Sequence, residues 1–203
     1  MRPRYRLLFW FVYQAVRWCL KVYNRLQVEG LAHVPAGAAL VVANHPSALD
    51  PAVLGVTLPR GRTLFIAAAE FLSLPLVGWA MRSYGVIPVR RGQTDLSVIK
   101  DAIRALEDGK LVVIFPEGRI TPEGGGALKS GAALLAARVR VPILPAVVLG
   151  TARALPMGRY IPRPVRVRAI FGPPLPPPAD RDEAERSVEA ALAWARAVVA
   201  RSS

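Results

Sequence analysis

The fold is decided by the stretch 38-AALVVANHPSALDP-51. Its unbroken apolar run at residues 38–43 predicts a buried strand of a parallel sheet, since neither face alternates with polar residues. The chain then turns polar at Asn44-His45-Pro46-Ser47. Asp50-Pro51 predicts the start of a helix, because Asp is a frequent N-cap and Pro suits the first helical turn.

The same order of strand, loop and helix continues along the chain. Further strands are predicted at residues 62–68, 86–89, 111–115, 141–148 and 165–171. Helices are predicted at residues 74–82, from Thr94 to near Gly109, from Ser130 onwards and at residues 182–199. This alternation indicates an α/β fold with a mixed, largely parallel sheet covered by helices.

Composition limits the class of protein. The 203 residues are 53% hydrophobic, which excludes intrinsic disorder and fits one domain with an appendage. The formal net charge of +13 predicts a polyanionic partner, either nucleic acid or acidic phospholipid. One cysteine and two histidines exclude a disulfide framework and a Cys-rich zinc site, and we expect neither a metal nor a cofactor.

The N-terminal segment combines apolar and basic residues. Its uncharged run at residues 7–16 is shorter than the roughly 20 residues that a membrane-spanning helix needs. The polar positions Gln14, Arg17 and Lys21 recur at helical steps, and no acid precedes Glu29. This pattern predicts an amphipathic helix in the interface of an anionic membrane, with residues 1–27 as the anchor and 28–203 as the catalytic or binding domain. A signal peptide and a core helix are the alternatives, although no small-x-small cleavage site follows.

Three loops carry unusual residues after predicted strands, at positions 44–50, 85–91 and 115–121. In open parallel sheets, ligands bind beyond the carboxyl ends of the strands. In the first loop, His45 is five residues before Asp50, so the carboxylate can orient the imidazole for proton transfer across a turn. The alternative is that Asp50 only caps a helix and His45 is a satisfied polar residue. Arginines in the other two loops are either surface charges or a phosphate clamp.

Motifs of other enzyme classes are missing from the sequence. It contains neither a G-x-S-x-G elbow nor a G-x-G-x-x-G fingerprint. The segment at 124–130 differs from a phosphate-binding P-loop, because Leu128 stands where a glycine must precede the lysine.

At these loops the chain resembles the glycerolipid acyltransferases, the family of 1-acylglycerol-3-phosphate acyltransferase. Four blocks occur in the family's order. They are Asn44-His45 through Asp50, residues 87–91 ending in Arg91, Phe115-Pro116-Glu117-Gly118, and Val141-Pro142-Ile143-Leu144-Pro145. The resemblance covers roughly residues 28–150.

The resemblance implies a role for each block. His45 takes the proton from the free hydroxyl of a lysophospholipid, and Asp50 orients the imidazole. Arg91 and Arg119 hold the acceptor phosphate, with Glu117 and Gly118 shaping that pocket. The donor is acyl-acyl carrier protein (acyl-ACP) or acyl-CoA, and transfer is direct, without an acyl-enzyme. The implied location is the cytoplasmic face of the cell membrane, the inner membrane in a two-membrane cell, with the protein peripheral or monotopic.

Two departures concern the acceptor. Arg119 follows Gly118 directly, where the family usually has Gly-Thr-Arg, and this variant is similar to acyltransferase domains acting on 2-acylglycerophosphoethanolamine. Alanines precede Glu70 where a lysine is often found. We expect 1-acylglycerol-3-phosphate as acceptor, giving phosphatidic acid, with another lysophospholipid as the alternative.

Two rivals lie outside the enzyme class. A non-catalytic basic lipid-binding protein would explain the N-terminal segment but not the need for His45 and Asp50. A nucleic-acid-binding protein would explain the charge, but such proteins interleave exposed aromatics with basic residues. Here most aromatics lie in the N-terminal segment, so no nucleic-acid partner is expected.

Overall fold

The computed structural model of the chain describes residues 3–89, 96–118, 120 and 131–202. The strands are β1 Gln27–Glu29, β2 Ala39–Ala43, β3 Thr63–Ala68, β4 Val86–Val89, β5 Leu111–Ile114, β6 Ile143–Leu149 and β7 Arg168–Phe171. The α-helices are α1 Pro3–Val22, α2 Asp50–Thr57, α3 Pro75–Tyr84, α4 Leu96–Glu107, α5 Gly131–Val139, α6 Thr151–Ala154 and α7 Arg181–Ser202. Short 3₁₀ turns occupy Leu31–His33 and Ala69–Ser73.

The seven strands form one sheet in the order β1-β7-β6-β2-β5-β3-β4. Every neighbouring pair is parallel except β6 and β7, which run antiparallel. The predicted fold class, a mixed and largely parallel sheet covered by helices, is therefore confirmed. The most central position belongs to β2, which pairs with β5 on one side and β6 on the other.

Strand β2 separates two apolar layers. Its odd-numbered residues, including Val41, pack with α2 and Leu20 of α1. Leu40 and Val42 point to the opposite layer, which contains α4, α5 and α7. All five residues of β2 are fully buried, and this explains why its sequence is apolar without alternation. Burying each Val or Leu side chain stabilises the fold by about 1.5–3 kcal/mol.

Helix α1 is confirmed as a helix and docks through a narrow stripe. Phe9 and Leu20 are buried, and the Phe9 ring contacts Trp79 of α3 with centroids 6.0 Å apart. The opposite side of the helix exposes a row of large apolar residues. This row, the outer stripe, consists of Leu7, Phe11, Trp18 and Val22. Among the described helices, none combines the length and hydropathy needed to cross a bilayer.

Two details of the sequence prediction were wrong. Leu49, not Asp50, occupies the N-cap position of α2, and no side chain caps that helix. Strand β7 begins at Arg168 rather than at residue 165, because most of the backbone bonds just before it are made to Asn24. The Asn24 amide donates to the carbonyls of Arg163 and Val165, and the Val167 N–H donates to the Asn24 carbonyl.

Candidate active site

The candidate site lies at the carboxyl ends of the three central strands. Chain segments leave β2 at Asn44, β5 at Phe115 and β6 at Gly150. Since β2 is parallel to both β5 and β6, these three segments emerge on the same edge of the sheet. This is the place where open α/β sheets bind ligands.

His45 and Asp50 form a hydrogen-bonded pair. The distance from His45 Nδ1 to Asp50 Oδ2 is 2.9 Å, so the contact predicted across the turn is present. The Asp50 side chain is fully buried, and that of His45 is 16% exposed. With an ionised Asp50, Nδ1 carries the hydrogen and donates it to Oδ2. The Nε2 lone pair is then left to accept a proton from a substrate.

The buried carboxylate of Asp50 has further partners that the sequence did not indicate. The Ser47 backbone N–H donates to Asp50 Oδ2 over 2.8 Å. Asp50 is the first residue of α2, where the helix dipole favours a negative charge. It does not cap the helix because its carboxylate turns back towards Ser47 and His45. The predicted cap residue thus binds His45 and the Ser47 backbone instead of the helix.

Burial sets the electrostatics of the pair. Loss of water raises the pKa of Asp50 above its ordinary value, whereas His45, the Thr151 hydroxyl and the Ser47 N–H each lower it. Neither Asp50 Oδ1 nor Thr151 Oγ1 has a partner of good hydrogen-bond geometry among the described residues. The Thr151 hydroxyl nevertheless lies close enough to lower the pKa of the carboxyl. The interaction between the Asp50 carboxylate and a neighbouring charge is stronger in this buried place than it would be in water.

An aromatic ring fixes the plane of the imidazole. Phe115 stacks on His45 with ring centroids 4.1 Å apart and an angle of 19° between the rings. Phe115 directly follows β5, so the strand neighbouring β2 supplies this contact. With the carboxylate at Nδ1 and the phenyl ring against one face, the imidazole has little rotational freedom.

Side chains of the 44–50 loop tie it to the next strand. The Asn44 amide nitrogen donates to the Val148 carbonyl over 3.2 Å, and the Val148 N–H donates to Asn44 Oδ1 over 2.8 Å. The Ser47 hydroxyl donates to the Leu155 carbonyl over 2.8 Å. These bonds fix the loop that carries His45 against β6 and the segment that follows α6.

The predicted substrate-binding residues divide into two groups. Glu117 and Gly118 follow Phe115, and Glu117 is buried. The Gly118 N–H donates to the Phe115 carbonyl over 2.9 Å, which closes a turn, and Gly118 has a φ of +62°. This left-handed conformation favours glycine. Arg91 and Arg119 lie outside the described residues.

Sequence reasoning did not assign roles to Phe115, Ser47 or Thr151. Phe115 and Ser47 were visible within the quoted blocks, but nothing in the sequence showed that they contact His45 or Asp50. Thr151 is brought to Asp50 only because β6 lies beside β2. Among the described residues, no group of three or more His, Cys, Asp or Glu side chains could hold a metal ion.

Comparison with known proteins assigns the family. The sequence profile of the Acyltransferase family matches residues 25–149. The chain belongs to this acyltransferase family. A chloroplastic 1-acyl-sn-glycerol-3-phosphate acyltransferase of Arabidopsis thaliana is 32% identical over 142 residues, which is 67% of this chain and 39% of the plant protein. The chain therefore spans about two fifths of the length of that relative.

Two other acyltransferases are also similar. A lyso-ornithine lipid O-acyltransferase of Pseudomonas aeruginosa is 34% identical over 119 residues, which is 58% of this chain and 43% of that protein. The crystal structure of the 1-acyl-sn-glycerophosphate acyltransferase of Thermotoga maritima superposes with a TM-score of 0.69 at 26% identity. That alignment covers 97% of this chain and 84% of the other, so the acyltransferase fold extends over nearly the whole chain.

Proposed function

We propose that the protein is a membrane-associated acyltransferase that moves a fatty acyl group from acyl-ACP or acyl-CoA to the free hydroxyl of a lysophospholipid. The proposed acceptor is 1-acylglycerol-3-phosphate, and the product is phosphatidic acid. The observation that carries this proposal is the His45–Asp50 pair at the end of β2, in a chain of the acyltransferase family.

The pair supplies general base and general acid in turn. His45 Nε2 removes the proton of the acceptor hydroxyl as its oxygen attacks the thioester carbonyl. Asp50 stabilises the imidazolium that forms, because the two groups share a hydrogen bond in a buried site. The tetrahedral intermediate then collapses, the C–S bond breaks, and His45 returns the proton to the leaving sulfur. The products are the new ester and the free thiol of the carrier.

Transfer is direct in this proposal, without a covalent acyl-enzyme. The lone cysteine, Cys19, lies exposed on α1 and not among the residues described around His45. Arg91 and Arg119 hold the acceptor phosphate, with Glu117 and Gly118 shaping that part of the pocket. No cofactor takes part in this scheme, in which the His45–Asp50 pair carries out the proton transfers.

Membrane association rests on the outer stripe of α1. Leu7, Phe11, Trp18 and Val22 point away from the domain, and the same helix carries Arg17 and Lys21. Aromatic and aliphatic side chains beside cations are typical of helices that lie in an anionic lipid interface. We place the enzyme on the cytoplasmic face of the cell membrane, where acyl donors and lysophospholipids meet.

The test is acyl transfer by the purified protein. Labelled acyl-CoA and acyl-ACP are offered with 1-acylglycerol-3-phosphate, 2-acylglycerophosphoethanolamine and a lyso-ornithine lipid. We expect the fastest turnover with 1-acylglycerol-3-phosphate. The other two acceptors are included because one relative is a lyso-ornithine lipid acyltransferase and because Arg119 follows Gly118 directly. A faster rate with either of them would show that the proposed head group is wrong.

His45→Ala is the matched inactive variant for this assay. We expect kcat to fall by roughly 10²–10⁴, the usual contribution of a positioned general base, with an unchanged circular dichroism spectrum. If the variant retains near-normal turnover, the assignment of the base is wrong. If the parent protein binds lysophospholipid vesicles but transfers no acyl group from either donor, the protein is a lipid-binding protein and not an enzyme.

A further inference from the structure

The loop that follows α6, residues 155–164, exposes large apolar side chains at its tip, before the chain approaches β7. We propose that this loop is a second membrane-contact segment, which inserts Met157, Tyr160 and Ile161 into an anionic bilayer beside α1. The proposal rests on the proposed membrane association of the enzyme, and it adds a separate surface to it. The three side chains are 68%, 96% and 80% exposed, respectively.

The backbone of the loop is anchored while these side chains point outwards. The Arg163 N–H donates to the Ala154 carbonyl over 2.7 Å, which closes the base of the loop. From the other side, Asn24 donates to the Arg163 carbonyl over 2.8 Å and Arg25 donates to the Pro164 carbonyl over 3.0 Å. Prolines at 156, 162 and 164 restrict the backbone further. The apolar tip is thus part of a fixed surface, and its exposure is not the result of a loose chain.

The loop and α1 share an apolar groove. Its volume is about 680 Å³, and its walls include Phe11, Trp18, Ile161 and Pro162. The Tyr23 hydroxyl donates to the Pro162 carbonyl over 3.3 Å at the end of the groove. The outer stripe of α1 therefore continues into the loop. A contiguous apolar surface of this kind marks an interaction site, since single exposed apolar residues need no such explanation.

Charge identifies the occupant as anionic lipid. The chain has no acidic residue between Gly124 and Ala179, and exposed arginines at 153, 159, 163 and 166 lie in or next to the loop. A tyrosine and an isoleucine beside arginines suit the boundary between lipid head groups and acyl chains. An acidic protein surface would neutralise the arginines. It would not offer an apolar environment in which the fully exposed Tyr160 and its apolar neighbours could be buried.

The experiment measures vesicle binding by the full chain. Vesicles of phosphatidylcholine with phosphatidylglycerol are compared with vesicles of phosphatidylcholine alone. The test variant is Tyr160→Ser/Ile161→Ser. The matched control is Leu134→Ser/Val199→Ser, which removes two exposed apolar residues from α5 and α7, in the layer opposite to α1. Both variants keep α1 intact.

We expect the test variant to lose at least about ten-fold in affinity for the anionic vesicles, because burying an isoleucine alone is worth more than one factor of ten. The control is expected to bind like the parent. An Arg159→Gln/Arg163→Gln variant should lose about five-fold per arginine on anionic vesicles and far less on neutral ones. If the test variant binds as tightly as the control, the loop does not contact lipid and the proposal is wrong.

A probe of local polarity guards against a misfolded variant. An environment-sensitive dye is attached at Tyr160→Cys in a Cys19→Ser background, with Leu134→Cys in the same background as reference. The dye at 160 should shift to the blue on adding anionic vesicles, and the dye at 134 should not. If the blue shift at 160 instead appears without vesicles as protein concentration rises, the loop joins two copies of the chain and the lipid assignment is overturned.

Activity separates this proposal from the proposed function. With a short-chain lysophospholipid below its micelle concentration, the loop variant should transfer acyl groups at the parent rate. If vesicle binding falls but neither parent nor variant shows turnover, the membrane surface stands and the enzymatic proposal fails. If turnover is normal and the loop substitutions leave vesicle binding unchanged, the enzymatic proposal stands and the proposed membrane contact of the loop fails.

Discussion

At the scale of single residues, the imidazole of His45 is restrained by a carboxylate at Nδ1 and a phenyl ring on its face. Asp50 is the more unusual member of the pair, because its side chain is fully buried and is reached by both His45 and the Ser47 N–H. A carboxylate in such a place costs folding stability, since burial raises its pKa, and its proposed service is to orient His45 for proton transfer.

The Asp50→Asn variant separates the effect of the carboxylate on activity from its effect on folding stability. The amide can no longer hold His45 in the tautomer that accepts a proton, so we expect activity to fall by about 10⁴-fold. The folding stability of the variant, in contrast, should rise relative to that of the parent, by an amount that depends on pH. A carboxyl whose pKa is raised on folding stabilises the native state most below its unfolded pKa, and this contribution is lost as pH rises through the folded value. Asn does not titrate, so the variant should gain stability relative to the parent as the pH rises above the ordinary pKa of an aspartate.

Thermal or urea unfolding at several pH values measures that difference. Asp50→Ala is the matched control, because it also removes the charge but leaves a cavity and strands the Ser47 N–H. A stability difference between Asn and Asp that is constant with pH would contradict a raised pKa for Asp50.

Thr151→Val tests the positioning role of the hydroxyl beside Asp50. The Thr151 hydroxyl lowers the pKa of the carboxyl, so its removal should raise that pKa further. We expect the acid limb of kcat/KM to move to higher pH, with kcat reduced several-fold at neutral pH. Thr151→Ser restores the hydroxyl and should restore the profile. An unchanged pH profile in the valine variant, accompanied only by lower stability, would mean that Thr151 is a packing residue.

At the scale of elements, Gly150 joins β6 to the short helix that carries Thr151. It has a φ of +81°, and a Cβ at this position would lie 2.2 Å from the Arg166 carbonyl oxygen. The segment that leads into β7 therefore passes directly over this glycine. The end of β6 and the base of the 155–164 loop are fixed against each other by this close approach.

Gly150→Ala should destabilise the protein by more than about 3 kcal/mol, because left-handed strain of about 1–2 kcal/mol adds to a backbone clash. Gly109→Ala is the matched control, since Gly109 has a φ of +77° and open space where a Cβ would stand. We expect this control to lose only the strain. Denaturant unfolding of both variants measures their losses in free energy of unfolding. Equal losses would show that the backbone near Arg166 can move away from the added Cβ without cost.

Much of the fold could be predicted because its strands are buried on both faces. The apolar runs of β2, β5 and β6 stand out without any partner being known. Strand β1 was missed, since its three residues carry polar side chains at both ends and it is a strand only through pairing with β7. The spacing of five made a contact between His45 and Asp50 possible, and the resemblance to the glycerolipid acyltransferases is what favoured it over a simple helix cap. The burial of Asp50 and its proximity to Thr151 depend on the order of strands in the sheet, and short-range sequence patterns do not contain that order.

At the scale of the whole molecule, α1 belongs to the domain on one side and faces outwards on the other. Phe9 and Leu20 are buried, and Asn24 is fully buried against the approach to β7. Deleting residues 1–25 would expose apolar core and, with Asn24, remove the partner of two carbonyls. Substitutions in the outer stripe are therefore a better test of anchoring than truncation of residues 1–25.

Phe11→Ser/Trp18→Ser should weaken binding to anionic vesicles by at least about ten-fold while leaving the melting temperature within a few degrees, because both side chains are exposed. Arg17→Gln/Lys21→Gln should weaken it about five-fold per charge, and added salt should reduce that difference. Vesicle co-sedimentation at low and high salt gives both numbers. If the substitutions in the outer stripe and added salt both leave vesicle binding unchanged, α1 does not contact the membrane.

The pairing of β1 with β7 has a consequence for the newborn chain. Asn24 and its acceptor at Arg163 are 139 positions apart, and β7 is the strand neighbour of β1 among the described residues. A ribosome adds about 5–20 residues per second, so the beginning of the protein waits on the order of ten seconds for the segment that receives it. During this interval the apolar and cationic helix α1 is already synthesised, while β1, which follows it, still lacks its partner strand. The lipid contact proposed for α1 can therefore form before the sheet is complete.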